Sequence, residues 1–214
     1  MKLYGYFRSS ASFRVRIALN LKGLAYESVP VHLTRGGGEQ LADAFRALNA
    51  EQLVPVLDDG GHVMTQSLAI IEYLEETHPQ PPLLPADAVA RAYVRSLALT
   101  IACEIHPLNN LRVLRYLVRD LGVGDEKKDG WYRNWVERGL AALEARVLAE
   151  RRHGRFLLGD SVTLADVLLV PQVFNAQRYD CRVDHVPTLM RVFDHCMQLP
   201  AFIDAQPSKQ PDAE

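Results

Sequence analysis

Cysteine is scarce in this 214-residue chain, with only Cys103, Cys181 and Cys196. The number is odd and no CxxC or metal-ligand spacing occurs, which argues against a disulfide framework and for reduced cytosolic thiols. The seven histidines do not cluster as ligands, so no metal is expected. Basic blocks are also missing. With a net charge of −2 and a sequence pI near 6.4, neither nucleic acid nor a membrane surface is an expected partner. No apolar run approaches the roughly 20 residues a membrane span needs. Arg8 interrupts the N-terminus before a secretory leader could build its apolar core. A cytoplasmic protein is the expectation. No internal repeat is visible.

What the chain has is 48% hydrophobic residues, enough for the cores of one or two domains. Residues 1–78 alternate. "KLYGYF" reads as a strand, and "ASFRVRIALNLKG" as a helix with Phe13, Ile17 and Leu21 on one face and Gly23 as its stop. "YESVPVHL" puts Val29, Val31 and Leu33 at period two, and "EQLADAFRALN" reads as a second helix. "LVPVLDD" and "HVMT" flank the hairpin signal "DDGG", and "SLAIIEYLEETH" is a third helix. The order β-α-β-α-β-β-α predicts a mixed sheet with helices on its faces. Four prolines in "PQPPLLP" mark an interdomain linker over 79–86.

Residues 87–214 read as all-helical. Asp87 can cap a long helix that Pro107 should kink or break. "GVGDEKKDG" reads as a surface loop, and "WYRNWVERGLAALEARVLAERR" as a helix. In "DSVTLADVLLVP", Thr163 and Asp166 fit a capping box and Val162 with Val167 a hydrophobic staple, opening a buried helix. The tail "AQPSKQPDAE" has no core-forming pattern and is expected to fray.

Two strand-to-helix junctions and one proline-bearing strand carry groups suited to chemistry. In "YFRSSASFRVRIAL", Ser9 and Ser10 stand where free N–H groups and the helix dipole favour an anion. A serine there can equally serve only as the helix cap. Arg14 and Arg16 lie inside the helix and are expected to be structural. In "LVPVL", Pro55 sits in a strand, so a cis Val54–Pro55 bond is expected, with Val54 exposing backbone to an extended peptide. An edge strand with a trans proline is the alternative. "MTQSLAII" places Gln66 and Ser67 at the other strand-to-helix junction. In the helical part, His106, Asn109 and Asn110 surround a proline break. Arg112, Arg115 and Arg119 form a stripe better read as a solvated face. Arg178 follows the buried helix, where a cation suits the helix C-terminus.

Together these pieces resemble the zeta class of glutathione transferases over nearly the whole chain. "SSASFRVRIAL" is similar to the class signature, and "VPVL", "QSLAIIEYLEE", "LLP", "TLADVLLVPQVFNA" and "RY" follow in family order and spacing. The resemblance implies an α/β thioredoxin-like N-terminal domain (1–78) that binds glutathione and an all-α C-terminal domain (87–214) on the substrate side. It also implies a homodimer with one glutathione site per subunit. Carried over by position, Ser9 faces the glutathione sulfur, with Ser10 and Ala11 beside it. Gln40, Val54, Gln66 and Ser67 hold the peptide, Val54 through its backbone and Gln66 with Ser67 at the γ-glutamyl end. His106 and Asn110 line the site from the helical domain, and Arg178 lies at the substrate side.

The implied activity is glutathione-dependent cis–trans isomerisation of a maleyl-type keto diacid, maleylpyruvate or maleylacetoacetate, in aromatic-compound catabolism. A thiolate adds to the conjugated double bond, the resulting single bond rotates, and elimination returns the thiol, so glutathione is a cofactor. The thiolate is favoured by a serine donor and a helix N-terminus. Arg8 and Arg178 are the candidates for holding the two carboxylates. Ala11 departs from the class, which has cysteine there, so no mixed disulfide with glutathione can form at this position. A general glutathione transferase that conjugates or dehalogenates small electrophiles, and a non-catalytic binding module, are the competing readings.

Overall fold

The computed structural model describes residues 1–214. In chain order the elements are β1 (Lys2–Gly5), α1 (Ser10–Leu21), β2 (Glu27–Pro30), α2 (Asp43–Leu48), β3 (Val56–Asp59), β4 (His62–Thr65) and α3 (Ser67–Thr77). There follow α4 (Ala88–Leu99), α5 (Leu111–Arg119), α6 (Asp125–Glu150), α7 (Leu164–Arg178), α8 (Pro187–Cys196) and α9 (Pro200–Asp204). They form two compact units, Met1–Pro82 with Met197–Glu214, and Leu83–Cys196. No helix is long and apolar enough to cross a membrane.

The first unit holds the expected mixed sheet, in the order β2-β1-β3-β4. β1 runs parallel to β2 and antiparallel to β3, which is antiparallel to β4. Phe13 and Ile17 of α1 and Ile70, Ile71 and Leu74 of α3 are fully buried with Leu3, Val56 and Leu57 of the sheet. Each such side chain stabilises the fold by roughly 1.5–3 kcal/mol. α1 stops as its sequence predicts. Gly23 takes φ +65, its N–H reaches Asn20 O at 3.1 Å, and Leu24 N–H reaches Leu19 O at 2.9 Å, a Schellman motif. Asp59 pairs with His62 across Gly60 and Gly61, whose φ values of +62 and +93 fit the primed turn that a two-residue hairpin needs. The Val54–Pro55 bond is cis, the expected form.

Two expectations for this unit are corrected. Residues 39–49 do not form one helix. A 3₁₀ turn over Glu39–Leu41 ends at Ala42, which is extended, and α2 starts after it. Glu39 is tied to His32 by two hydrogen bonds, from its own N–H at 2.8 Å and to its carboxylate at 2.7 Å, and the break itself is at Ala42, whose ψ of 148 leaves the helical region. The tail does not fray either. Phe202 and Ala205 are fully buried, and Asn20 of α1 donates to Ala201 O at 3.0 Å. Arg16 Nε donates to Ala205 O at 2.9 Å. Asp212 accepts the Phe7 N–H at 3.0 Å, and Glu214 pairs with Arg35 and His32 at 2.8 and 3.1 Å. Residues 197–214 therefore group with the first unit rather than with the helical part.

The second unit is all-helical. Asp87 caps α4 by accepting from Ala90 N–H at 2.8 Å, and a π-helical stretch, Thr100–Ile105, extends α4 to the break at Pro107. Leu83 and Leu84 are buried, and Leu83 O accepts from Leu164 N–H at 2.8 Å, so the end of the proline-rich stretch is packed within the second unit. "GVGDEKKDG" is a loop only up to Gly124. α6 begins at Asp125, where Asp125 and Glu126 complement the helix dipole and Lys128 pairs with Asp125 at 2.8 Å. Buried Glu144 of α6 accepts from Thr188 and Leu189 N–H at 3.0 and 2.9 Å, closing the N-terminus of α8. α7 opens on the expected capping box, with Asp166 accepting from Thr163 N–H and hydroxyl at 2.8 Å each, and its apolar residues are buried.

Candidate functional site

The sheet register brings the two polar junctions and the proline-bearing strand to one end of the first unit. Tyr4 pairs with Val56 and Val56 with Thr65. The chain leaving β1 toward Ser9, the chain entering β3 through Val54, and the chain leaving β4 into Gln66 and Ser67 therefore lie at the same end of the strands. Val54 precedes Val56, the first paired residue of β3, so its backbone lies outside the ladder.

Ser9 is the N-cap of α1, with its Oγ accepting from Ser12 N–H at 3.2 Å. A hydroxyl also carries one proton to donate, so the cap does not use up the group. Ser10, buried, and Ala11 follow at the first and second helical positions. The Ala11 N–H lies in the first turn, beyond any intrahelical acceptor. Arg8 Nε and Nη2 both donate to Tyr6 Oη, at 3.1 and 2.7 Å. Its guanidinium lies 5.5 and 5.0 Å from the Tyr6 and Phe7 ring centres, which holds a cation one residue before Ser9.

At the start of α3, Gln66 has φ +67 and makes no side-chain cap; its amide donates to Glu51 at 2.8 Å. Ser67, the first helical residue, is buried. Its Oγ accepts from Arg14 Nη1 at 3.3 Å. Arg14, set aside as structural from the sequence, thus touches an expected site residue. It stands four residues after Ser10 on α1, and that one-turn spacing was the available signal. Glu51 was missed because it lies in a turn with no pattern of its own. Arg16 is structural, with its donors on Ala205 O and Phe7 O, and burial lowers its pKa to about 10.

Gln40 is buried, and its Oε1 has no hydrogen-bond partner. An orphaned acceptor of this kind fits a donor from a bound peptide. A cavity of about 460 Å³ lined by Arg35, Gly36, Gly38, Glu39, Leu41 and Ala42 borders the same loop.

The other expected residues belong to the second unit. His106 is half-buried at the end of the π-helical stretch, where its N–H reaches Ile101 O at 2.9 Å. Asn110 is the N-cap of α5 and accepts from Arg112 N–H at 3.1 Å, which leaves its amide N–H groups to donate. Asn109 Oδ1 beside it is buried without a partner. Arg112 and Arg119 are exposed and Arg115 is half-buried, in keeping with a mostly solvated stripe. Arg178 is the exposed last residue of α7, 5.1 Å from the ring centre of Tyr179, which stacks on Tyr132 at 3.7 Å.

Comparison with known proteins places this arrangement. The family description "Glutathione S-transferase, N-terminal domain" matches residues 3–82, and "Glutathione S-transferase, C-terminal domain" matches residues 123–200. A probable maleylacetoacetate isomerase of Vibrio cholerae is 52% identical over 99% of this chain and 97% of its own. The holo structure of a bacterial maleyl pyruvate isomerase, described as a zeta-class glutathione S-transferase, superposes with a TM-score of 0.97 at 48% identity over the whole of both chains. The crystal structure of a maleylacetoacetate isomerase from Methylobacterium extorquens AM1, with malonate and GSH bound, gives a TM-score of 0.96 at 42% identity, again over both whole chains. The chain belongs to the zeta class of the glutathione S-transferase family.

Proposed function

We propose that the protein is a glutathione-dependent cis–trans isomerase that converts maleylpyruvate or maleylacetoacetate to its fumaryl isomer. The observation that carries this reading is full-length similarity to isomerases of that type, joined to a turn that offers anion-stabilising groups and no cysteine. Those same relatives favour it over a general conjugating or dehalogenating transferase. The first unit is the glutathione-binding domain and the second is the substrate-side domain. The reading also takes the enzyme as a cytoplasmic homodimer, which size-exclusion chromatography with light scattering tests.

The residues fit the cofactor. Val54 has backbone outside the sheet ladder to pair with the extended peptide, and Gln40 has an unused buried acceptor. The γ-glutamyl end carries a carboxylate and an ammonium. Ser67 and the first N–H groups of α3 suit the carboxylate. Glu51, tied to Gln66, suits the ammonium. His106 and Asn110 of the second unit complete the residues assigned to the cofactor.

Bound glutathione supplies a thiolate that adds reversibly to the double bond conjugated with the ketone, so that this bond can rotate. The chain's own part is electrostatic. Ser9, after capping α1 with a lone pair, donates a hydrogen bond from its hydroxyl to the sulfur and so favours the anionic form. Ser10, Ala11 and the α1 dipole add to the same field. Arg8, braced by Tyr6 and Phe7, holds one carboxylate of the substrate. Arg178 takes the other, and its exposed position suits the end that moves when the bond rotates. A side-by-side assay of both cis diacids, with and without glutathione, tests the reading. Turnover that does not need glutathione, or conjugates in place of fumaryl products, overturns it.

A further inference from the structure

The α3 N-terminus is unusual in how it is supplied. Its N-cap, Gln66, sits at φ +67 and offers no side chain to the first turn, because its amide is committed to Glu51. The first hydroxyl, Ser67, is instead contacted by Arg14, a residue that is only 2% exposed and stands on α1 one turn after Ser10. Arginine has donors and no acceptor. In the Arg14–Ser67 contact the serine oxygen must therefore accept, and its single proton must point to another partner. A guanidinium polarising that oxygen also makes the hydroxyl a stronger donor. A buried positive charge in contact with the first residue of a helix adds to the potential that the helix dipole offers an anion.

We propose that Arg14 is a positioning residue that fixes Ser67 as a hydrogen-bond donor and so sets the preference of the α3 N-terminus for the α-carboxylate of the γ-glutamyl group. This rests on the reading that glutathione binds there. It makes one buried arginine a determinant of cofactor recognition without contact with the cofactor.

The test compares glutathione with its analogue lacking that carboxylate, γ-aminobutyryl-cysteinylglycine, by calorimetric titration of native protein, Arg14→Met and Arg14→Lys. Native protein is expected to prefer glutathione by about tenfold or more, the size of a charge-assisted hydrogen bond. In Arg14→Met the preference falls to about threefold or less, while affinity for the analogue changes by less than about twofold. Arg14→Lys, which keeps the charge and loses the planar fork, restores part of the preference. Equal weakening of both ligands in Arg14→Met makes Arg14 a purely structural residue and overturns the proposal alone. A native protein that does not distinguish the two ligands overturns it together with the glutathione site at α3. If Arg14→Met does not fold, Ser67→Ala, Arg14→Lys and their double variant decide. Non-additive losses of the preference support the coupling, and additive losses refute it.

Discussion

Replacing Ser9 by alanine removes the interaction that the structure shows for its hydroxyl and the one that the proposed function gives to it. The first is the cap, the 3.2 Å bond accepted from Ser12 N–H. Loss of such a cap costs about 1 kcal/mol, and the long bond points to the lower part of the usual range. In a chain of this size about 1 kcal/mol lowers Tm by roughly 2–4 °C. The second is the proton that Ser9 offers to the glutathione sulfur. A hydrogen bond to a charged group contributes about 1.5–3 kcal/mol, which corresponds to a rise of about one to two units in the pKa of the bound thiol.

The two effects separate with a second substitution. Aspartate caps a helix about as well as serine but brings no proton and adds a negative charge. Ser9→Asp should therefore keep the thermal stability and still raise the thiol pKa, whereas Ser9→Ala should change both. Titrating the ultraviolet absorbance of the bound thiolate, beside thermal unfolding of each variant, reads both quantities. An unchanged thiol pKa in Ser9→Ala, with stability lowered, means that Ser9 is a cap and nothing more.

Arg8→Ala and Arg178→Ala should each raise KM for the diacid by the equivalent of about 1–3 kcal/mol and leave glutathione affinity almost unchanged, as steady-state kinetics will show. Normal kcat/KM in both variants places the carboxylates elsewhere. Glu51→Gln should weaken glutathione binding by no more than about 1 kcal/mol, because Glu51 and Gln66 are both exposed and a charge pair there is screened. Titration at low and high salt should show the loss shrinking with salt, and a salt-independent loss refutes the charge pairing. Burial pushes the Asp166 carboxyl up to about 6, although Leu157 and Thr163 donate to it. Its folded pKa lies above the unfolded value near 3.9, so its contribution to stability is fully present below about pH 4 and is lost as pH rises through about 6, by up to roughly 3 kcal/mol. Urea unfolding from about pH 4.5 to about pH 7.5 should show native protein losing stability relative to Asp166→Asn, and a pH-independent difference contradicts it.

Much of this architecture was legible because its signals are local. Gly23 ends α1, Gly60 and Gly61 turn the hairpin, and Thr163 with Asp166 starts α7, each within a few residues of the element it controls. The start of α6 was misread because glycines and charges imitate a loop, while the acidic first turn that favours a helix was in plain view. Contacts far apart in sequence left no pattern to read. The tail is held through Asn20–Ala201, Arg16–Ala205 and Phe7–Asp212, which join residues 181 to 205 positions apart. Arg14 left only its one-turn spacing after Ser10 as a signal, because Ser67 is 53 residues away and only the fold brings the guanidinium to it. Ser9 presented a different difficulty, since cap and thiolate donor call for the same residue at the same position. In the structure the Ser9 oxygen accepts from Ser12 N–H, and a cap made with a lone pair does not use the hydroxyl proton.

The chain's own thiols explain why this site needs a thiol from outside. The proposed chemistry depends on a thiolate, and a thiolate forms where positive potential and donors meet. Burial works in the opposite direction for two of the three cysteines. It pushes the Cys181 thiol up to about 12, and it raises Cys196 further, with Asp166 adding to the effect. Both stay protonated and unreactive at neutral pH. Cys103 is exposed, but it lies within the π-helical extension of α4 and not at a helix N-terminus. The one place built to favour a thiolate, the first turn of α1 with Ser9 and Ser10, carries Ala11 where a side-chain sulfur could have stood. Donors and dipole are present there without a nucleophile. Under the proposed function a diffusible thiol enters that turn, and the Val54 backbone outside the ladder, the Gln40 acceptor and the Ser67 hydroxyl, all in the same unit, are the groups proposed to hold the peptide that carries it.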